Sequence, residues 1–150
     1  MNRRVLVACL SGLLFFLSAV VVTEVAADWN PPANADVCWG NTDATLRLRF
    51  INVGGGYYQI AGKLTGSGEG TKAAFGSAVR ASKVYYISAT LTGSTSSQTW
   101  METARIVLNR SNLSLTVETM GVSHDKTDPD PENAQAWYDA AFTLPHITCP

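Results

Sequence analysis

Between residues 84 and 120 the chain alternates apolar and polar side chains three times over, and this alternation restricts its fold more than any other feature. Tyr85, Ile87, Ala89 and Leu91 interleave with Ser88, Thr90 and Thr92; Trp100, Ala104, Ile106 and Leu108 interleave with Thr103 and Arg105. Leu113, Leu115 and Val117 then interleave with Ser114, Thr116 and Glu118. Side chains of a strand point to opposite faces in turn, so a period of two marks a sheet with one buried face. The β-branched and aromatic residues that fill these runs suit such a surface. Asn109-Arg110-Ser111-Asn112 supplies turn chemistry between the last two runs, because Asn tolerates positive φ and caps its own backbone.

The flanking segments extend the pattern. Residues 44–53 predict a strand with Leu46, Leu48 and Phe50 on one face and Arg47 and Arg49 on the other. The phase changes at Ile51 and Val53, as a bulge would make it. Gly54-Gly55-Gly56 turns the chain into a strand over 57–65, and residues 73–79 predict another. Residues 28–36, with Pro31-Pro32, read as an extended lead-in. Residues 122–133 read as an exposed loop and 134–141 as a short helical turn, before a closing strand over 142–148. A further strand is possible around Trp39. The expected fold is all-β: a small antiparallel meander barrel of about seven or eight strands, since closure removes exposed sheet edges.

A basic Met1-Asn2-Arg3-Arg4, an apolar run from Val5 to Val22 and small residues at Val25-Ala26-Ala27 read as a signal peptide over 1–27, with a single domain over 28–150. An exported protein, periplasmic or extracellular, is therefore expected, with no stable membrane association after cleavage. Removing Arg3, Arg4 and Glu24 leaves nine basic and eleven acidic residues. With no basic stripe, nucleic acid is not an expected partner. Two cysteines remain, Cys38 and Cys149, and an even pair in an oxidising compartment implies a disulfide.

A signal peptide, about 120 residues of short consecutive strands and a cysteine pair joining the first strand to the last resemble the calycin-like barrels, the lipocalins and avidins and their small exported bacterial relatives. The lipocalin Gly-x-Trp is absent, its place taken by Cys38-Trp39-Gly40. The resemblance therefore implies a barrel and transfers no binding residue.

No catalytic constellation emerges. The two histidines, His124 and His146, stand apart, no serine lies in a Gly-x-Ser-x-Gly elbow, and the cysteines are committed to each other. A non-enzyme without cofactor is expected. Asp125, Asp128, Asp130 and Glu132 offer hard oxygen ligands but lack the spacing of a calcium loop, so they are weak metal candidates. Glu102 breaks its strand's pattern, falling on the face of Trp100, Ala104 and Ile106. On an interior face it would be a polar group able to orient a ligand; at the rim it would pair with an arginine. Trp100, Tyr58 and Tyr85 complete the ligand-binding candidates, each also a natural core residue, as is Trp137.

The leading expectation is a non-enzymatic barrel that binds a small apolar ligand or a protein partner. A secreted protease inhibitor, with loops and the 28–36 arm as contact surface, is the alternative. A small outer-membrane barrel is the second, against which stand runs shorter than the roughly 9–11 residues a membrane strand needs and charges on both faces at Glu102 and Arg105.

Overall fold

The computed structural model describes residues 29–66 and 70–150; the signal peptide reading and Asp28 lie outside them. Nine strands follow one another: β1 (Asp36–Gly40), β2 (Ala44–Gly54), β3 (Tyr57–Gly66), β4 (Gly70–Arg80), β5 (Val84–Ser94), β6 (Gln98–Asn109), β7 (Leu115–Asp125), β8 (Gln135–Leu144) and β9 (His146–Ile147). All pair antiparallel with their neighbours, in the order β8-β7-β6-β5-β4-β3-β2-β1-β9. The all-β meander expected from the alternation is the fold.

The sheet curls round on itself. Only Pro145 separates β8 from β9, yet β8 pairs with β7 while β9 pairs with β1 at the opposite end of the strand order. The two edges therefore meet at Pro145, whose carbonyl accepts the Gly40 N–H at 3.0 Å. The ladder itself does not close: among the described residues no pairing joins β8 to β1. β1 has five residues against ten in β8, and Pro145 has no N–H to extend the ladder. The covalent chain and the cysteines complete the circuit. Cys38 and Cys149 stand with Cα atoms 5.1 Å apart and sulfurs at bonding distance, closing a span of 111 residues.

The inward face is the one the alternation marks. Leu46, Leu48, Phe50, Tyr58, Ile60, Tyr85, Ile87, Ala89, Leu91, Ala104, Ile106 and Leu108 are all buried, each fully buried large side chain stabilising by about 1.5–3 kcal/mol. Arg47, Arg49, Lys63, Arg105 and Glu118 project outward. The bulge near Ile51 and Val53 appears as a register shift between Asn52 and Gly54.

Three expectations are corrected. Residues 134–141 are not a helical turn; most belong to β8, because pairing against β7 outweighs the weak helical preference of an Ala-rich segment. The sixth alternating run begins at Leu115, not Leu113, whose φ of 57° places it in the turn, and it continues to Asp125 instead of ending at Met120. Gly121 lies within this strand. A Cβ there would lie 2.7 Å from Met101 O and 2.8 Å from Glu102 Cγ, so the strand needs glycine for packing. Finally, β2 to β8 have 10–12 residues each, longer than the runs suggested.

One end of the barrel is plugged. Trp29, Trp39, Phe50, Tyr58 and Tyr85 meet edge to face with centroids 5.5–6.4 Å apart, an arrangement that suits their ring quadrupoles. Trp39 Nε1 donates to Leu113 O at 2.7 Å. Arg110, buried, donates to Trp29 O at 3.0 Å and to Ser82 O at 2.6 Å, holding the lead-in arm across this end.

Candidate functional site

The other end is built differently. It carries the β1–β2, β3–β4, β5–β6 and β7–β8 connections, since a meander returns its alternate connections to the same rim. Here polar residues join the apolar ones at inward-facing positions. Lys72 on β4 and Glu102 on β6 form an ion pair, both buried. Among the candidates, Glu102 is thus interior, and its partner is a lysine rather than an arginine. Lys72 escaped the sequence reading because the strand predicted there began at Ala73. Two residues before Ala74, it shares that residue's inward phase, which is the signal that could have revealed it.

Two tryptophans flank the pair. The Lys72 ammonium lies 5.6 Å from the ring centroids of both Trp100 and Trp137, within the range of cation–π attraction. Bare backbone at two glycines makes this packing possible. A Cβ on Gly93 would meet Trp100 Nε1 at 2.8 Å and Lys72 Cγ at 3.0 Å; one on Gly121 would meet Trp137 Cζ2 at 3.0 Å as well as Glu102. Trp100 Nε1 is buried and has no hydrogen-bond partner among the described residues. A buried donor left in that state costs about 1–3 kcal/mol.

Two cavities adjoin the ion pair. The larger, ≈ 390 Å³, is lined by Trp100, Trp137, Lys72, Glu102 and the uncharged Thr95, Ser97, Gln98 and Ser123. The smaller, ≈ 220 Å³, adds Asp43, Thr119, Asp139, Leu64 and Phe142. Thr119, buried, donates to Asp139 Oδ2 at 3.5 Å.

The remaining candidates fall elsewhere. Tyr58 and Tyr85 belong to the aromatic plug, away from Trp100 and Glu102. Burial, then the hydrogen bond and charge of Tyr58, push the Tyr85 hydroxyl up to about 12; it donates to Asn30 Oδ1 at 3.0 Å. The acidic series does not converge: among the described residues no group of three or more His, Cys, Asp or Glu side chains could hold a metal. Each aspartate serves its own loop instead. Asp125 accepts from Thr127 N and Oγ1, Asp128 from Asp130 N and Asn133 Nδ2, and Asp130 from Glu132 N. The Thr127 bonds hold the Asp125 carboxyl below its ordinary value, and the Asp130 N–H does the same for Asp128. His124, on β7, sits against Asp130 O at 3.0 Å, and His146 against the Trp39 ring.

Comparison of the chain with protein-family models, curated proteins and solved structures found no match. The site's own chemistry therefore carries the functional reading.

Proposed function

We propose that this protein is an exported, non-enzymatic binding module that takes a small polar ligand into the open end of a calycin-like barrel. The observation that carries the reading is the buried Lys72–Glu102 pair set between Trp100 and Trp137 beside a ≈ 390 Å³ cavity. That volume lies within the ~300–1,000 Å³ of ligand sites, which combine aromatic walls with a few placed polar groups. Buried charges cost more than apolar side chains of the same volume in a structural role, so a charged pair at the mouth favours recognition over packing.

The sequence suggests a small apolar ligand or a protein partner. Side chains fill the apolar interior of this barrel, and the space beside the core is lined largely by polar groups, which favours a polar ligand. The arm proposed as a protease-inhibiting contact is held down by Arg110 and packed through Trp29, which also favours the binding module. A membrane barrel faces lipid with apolar residues and keeps polar ones inside; here the strands are long enough and Phe75, Tyr86, Met101, Met120 and Tyr138 lie exposed on the outer face, but Arg47, Lys63, Arg105 and Glu118 share that face and the apolar core fills the inside. The cysteine pair at disulfide distance supports an oxidising, exported setting.

Proton–nitrogen NMR tests the reading, because the four tryptophans give four indole signals. Addition of a polar metabolite extract is expected to move those of Trp100 and Trp137 and leave Trp29 and Trp39 unmoved. Movement of the Trp29 and Trp39 signals by a fatty acid, with Trp100 and Trp137 silent, would return the ligand to the apolar interior.

A further inference from the structure

The geometry points to a class of ligand: an uncharged, hydroxylated ring, a sugar, stacked on tryptophan and accepting a hydrogen bond from Trp100 Nε1. This rests on the open end being the binding site and follows from four features of it. First, the charges the larger cavity shows are paired. Among the described residues lining it, Lys72 and Glu102 are the only charged ones, and they bond each other. A charged ligand entering a site without a counter-charge of its own carries a desolvation penalty that a neutral one avoids.

Second, the position a cation would take is filled. Trp100 and Trp137 both attract positive charge to their faces, and the Lys72 ammonium already stands 5.6 Å from each centroid. Anions are disfavoured from outside, because Asp43, Asp125, Asp128, Asp130 and Asp139 at this end of the barrel outnumber Lys126, which donates to Thr95 O, and leave a negative potential across the approach.

Third, Trp100 Nε1 is a buried donor with no acceptor among the described residues. It packs against Gly93, where an added Cβ would lie 2.8 Å from it. A small turn of the indole toward the adjoining cavity would bring Nε1 to a ligand oxygen and relieve that cost, which makes an acceptor group part of the ligand. Fourth, the polar lining consists of groups that both donate and accept. Ser97 and Ser123 hydroxyls and the Gln98 amide match hydroxyl groups, while the flat apolar faces of the indoles match the C–H face of a sugar ring. Phosphates and fatty acids each lack one of these matches.

The test is an NMR and calorimetric titration of the mature protein with glucose, galactose, N-acetylglucosamine and cellobiose, beside 1,4-diaminobutane and acetate as charged probes. At least one sugar is expected to bind and to shift the Trp100 indole proton downfield, as a new hydrogen bond does. Trp100→Phe keeps an aromatic platform but removes the N–H, and is expected to weaken binding roughly tenfold. The exposed Gln98→Ala, which leaves the core untouched, is expected to weaken it severalfold and keeps the test valid should Trp100→Phe fail to fold. If the charged probes or the metabolite extract move the Trp100 and Trp137 signals while every sugar is silent, the sugar assignment is overturned and the site stands. If extract and sugars are both silent, both fall.

Discussion

Replacing Lys72 with methionine should convert the stability of this protein into a function of pH. Glu102 has only 2 % of its surface exposed, and the Lys72 ammonium is the cation it pairs with. Without that ammonium the buried carboxylate is costly, and the group takes up a proton in the folded state while the unfolded chain releases it near the ordinary ~4.3. A folded-state value raised above the unfolded one means that stability is complete below pH 4 and falls as pH rises. The loss is about 1.4 kcal/mol per pH unit and reaches about 3.7 kcal/mol at pH 7 if Glu102 stays protonated throughout. This agrees with the ~3–5 kcal/mol typical of a buried pair stripped of one partner. Lys72→Met/Glu102→Leu removes both charges and should recover most of the loss, to within about 1 kcal/mol of wild type. The assay is urea unfolding followed by circular dichroism at pH 4, 5.5 and 7 for wild type, both single variants and the double variant. A Lys72→Met protein within about 1 kcal/mol of wild type at pH 7, or one whose deficit does not change with pH, refutes the placement of the pair in a dry interior.

Further outcomes follow from other parts of the barrel. Cys38→Ser/Cys149→Ser, which opens a 111-residue loop, should lose up to about 5 kcal/mol in urea unfolding; a loss under about 1 kcal/mol would show that the last strand is held without the cross-link. Tyr85 keeps its proton up to about 12 in the folded protein, whereas the unfolded chain releases it near 10, so stability should be unaffected by this group below pH 10 and decline between 10 and 12. Tyr85→Phe should flatten that decline in thermal melts, and an unchanged alkaline slope would count against the buried hydroxyl. Gly121→Ala forces a Cβ to within 2.8 Å of Glu102 Cγ, and should cost about 1–3 kcal/mol by overpacking; a neutral result would mean that β7 can shift away from Glu102.

Much of this fold is legible in the sequence because burial on one face writes itself as a period of two. Leu46, Leu48 and Phe50, or Tyr85, Ile87 and Ala89, show it directly. The pattern fails where the interior turns polar. Lys72, Glu102, Thr119 and Asp139 occupy inward positions at the open end, so the alternation misses the first residues of β4, the last of β7 and most of β8. Glu102 could be singled out because it interrupts an otherwise apolar run, but its partner could not. Lys72 lies 30 residues away on a strand that is not hydrogen-bonded to β6, and the two meet across β5 because its inward position there is the bare Gly93. Tyr58 and Tyr85 carry the same pattern as Trp100, and sequence alone has no means of assigning them to opposite ends of the barrel. The unclosed stretch between β8 and β1 was equally hidden, because it depends on the unequal lengths of two distant strands.

The most direct measurement is the side-chain ammonium spectrum of the four lysines, Lys63, Lys72, Lys83 and Lys126, by nitrogen-detected NMR at neutral pH. One slowly exchanging Nζ signal is expected, coupled through space to the rings of Trp100 and Trp137 and lost in Lys72→Met. Four rapidly exchanging ammonium groups, none near an indole, would contradict a charged pair buried between tryptophans and the binding site built around it.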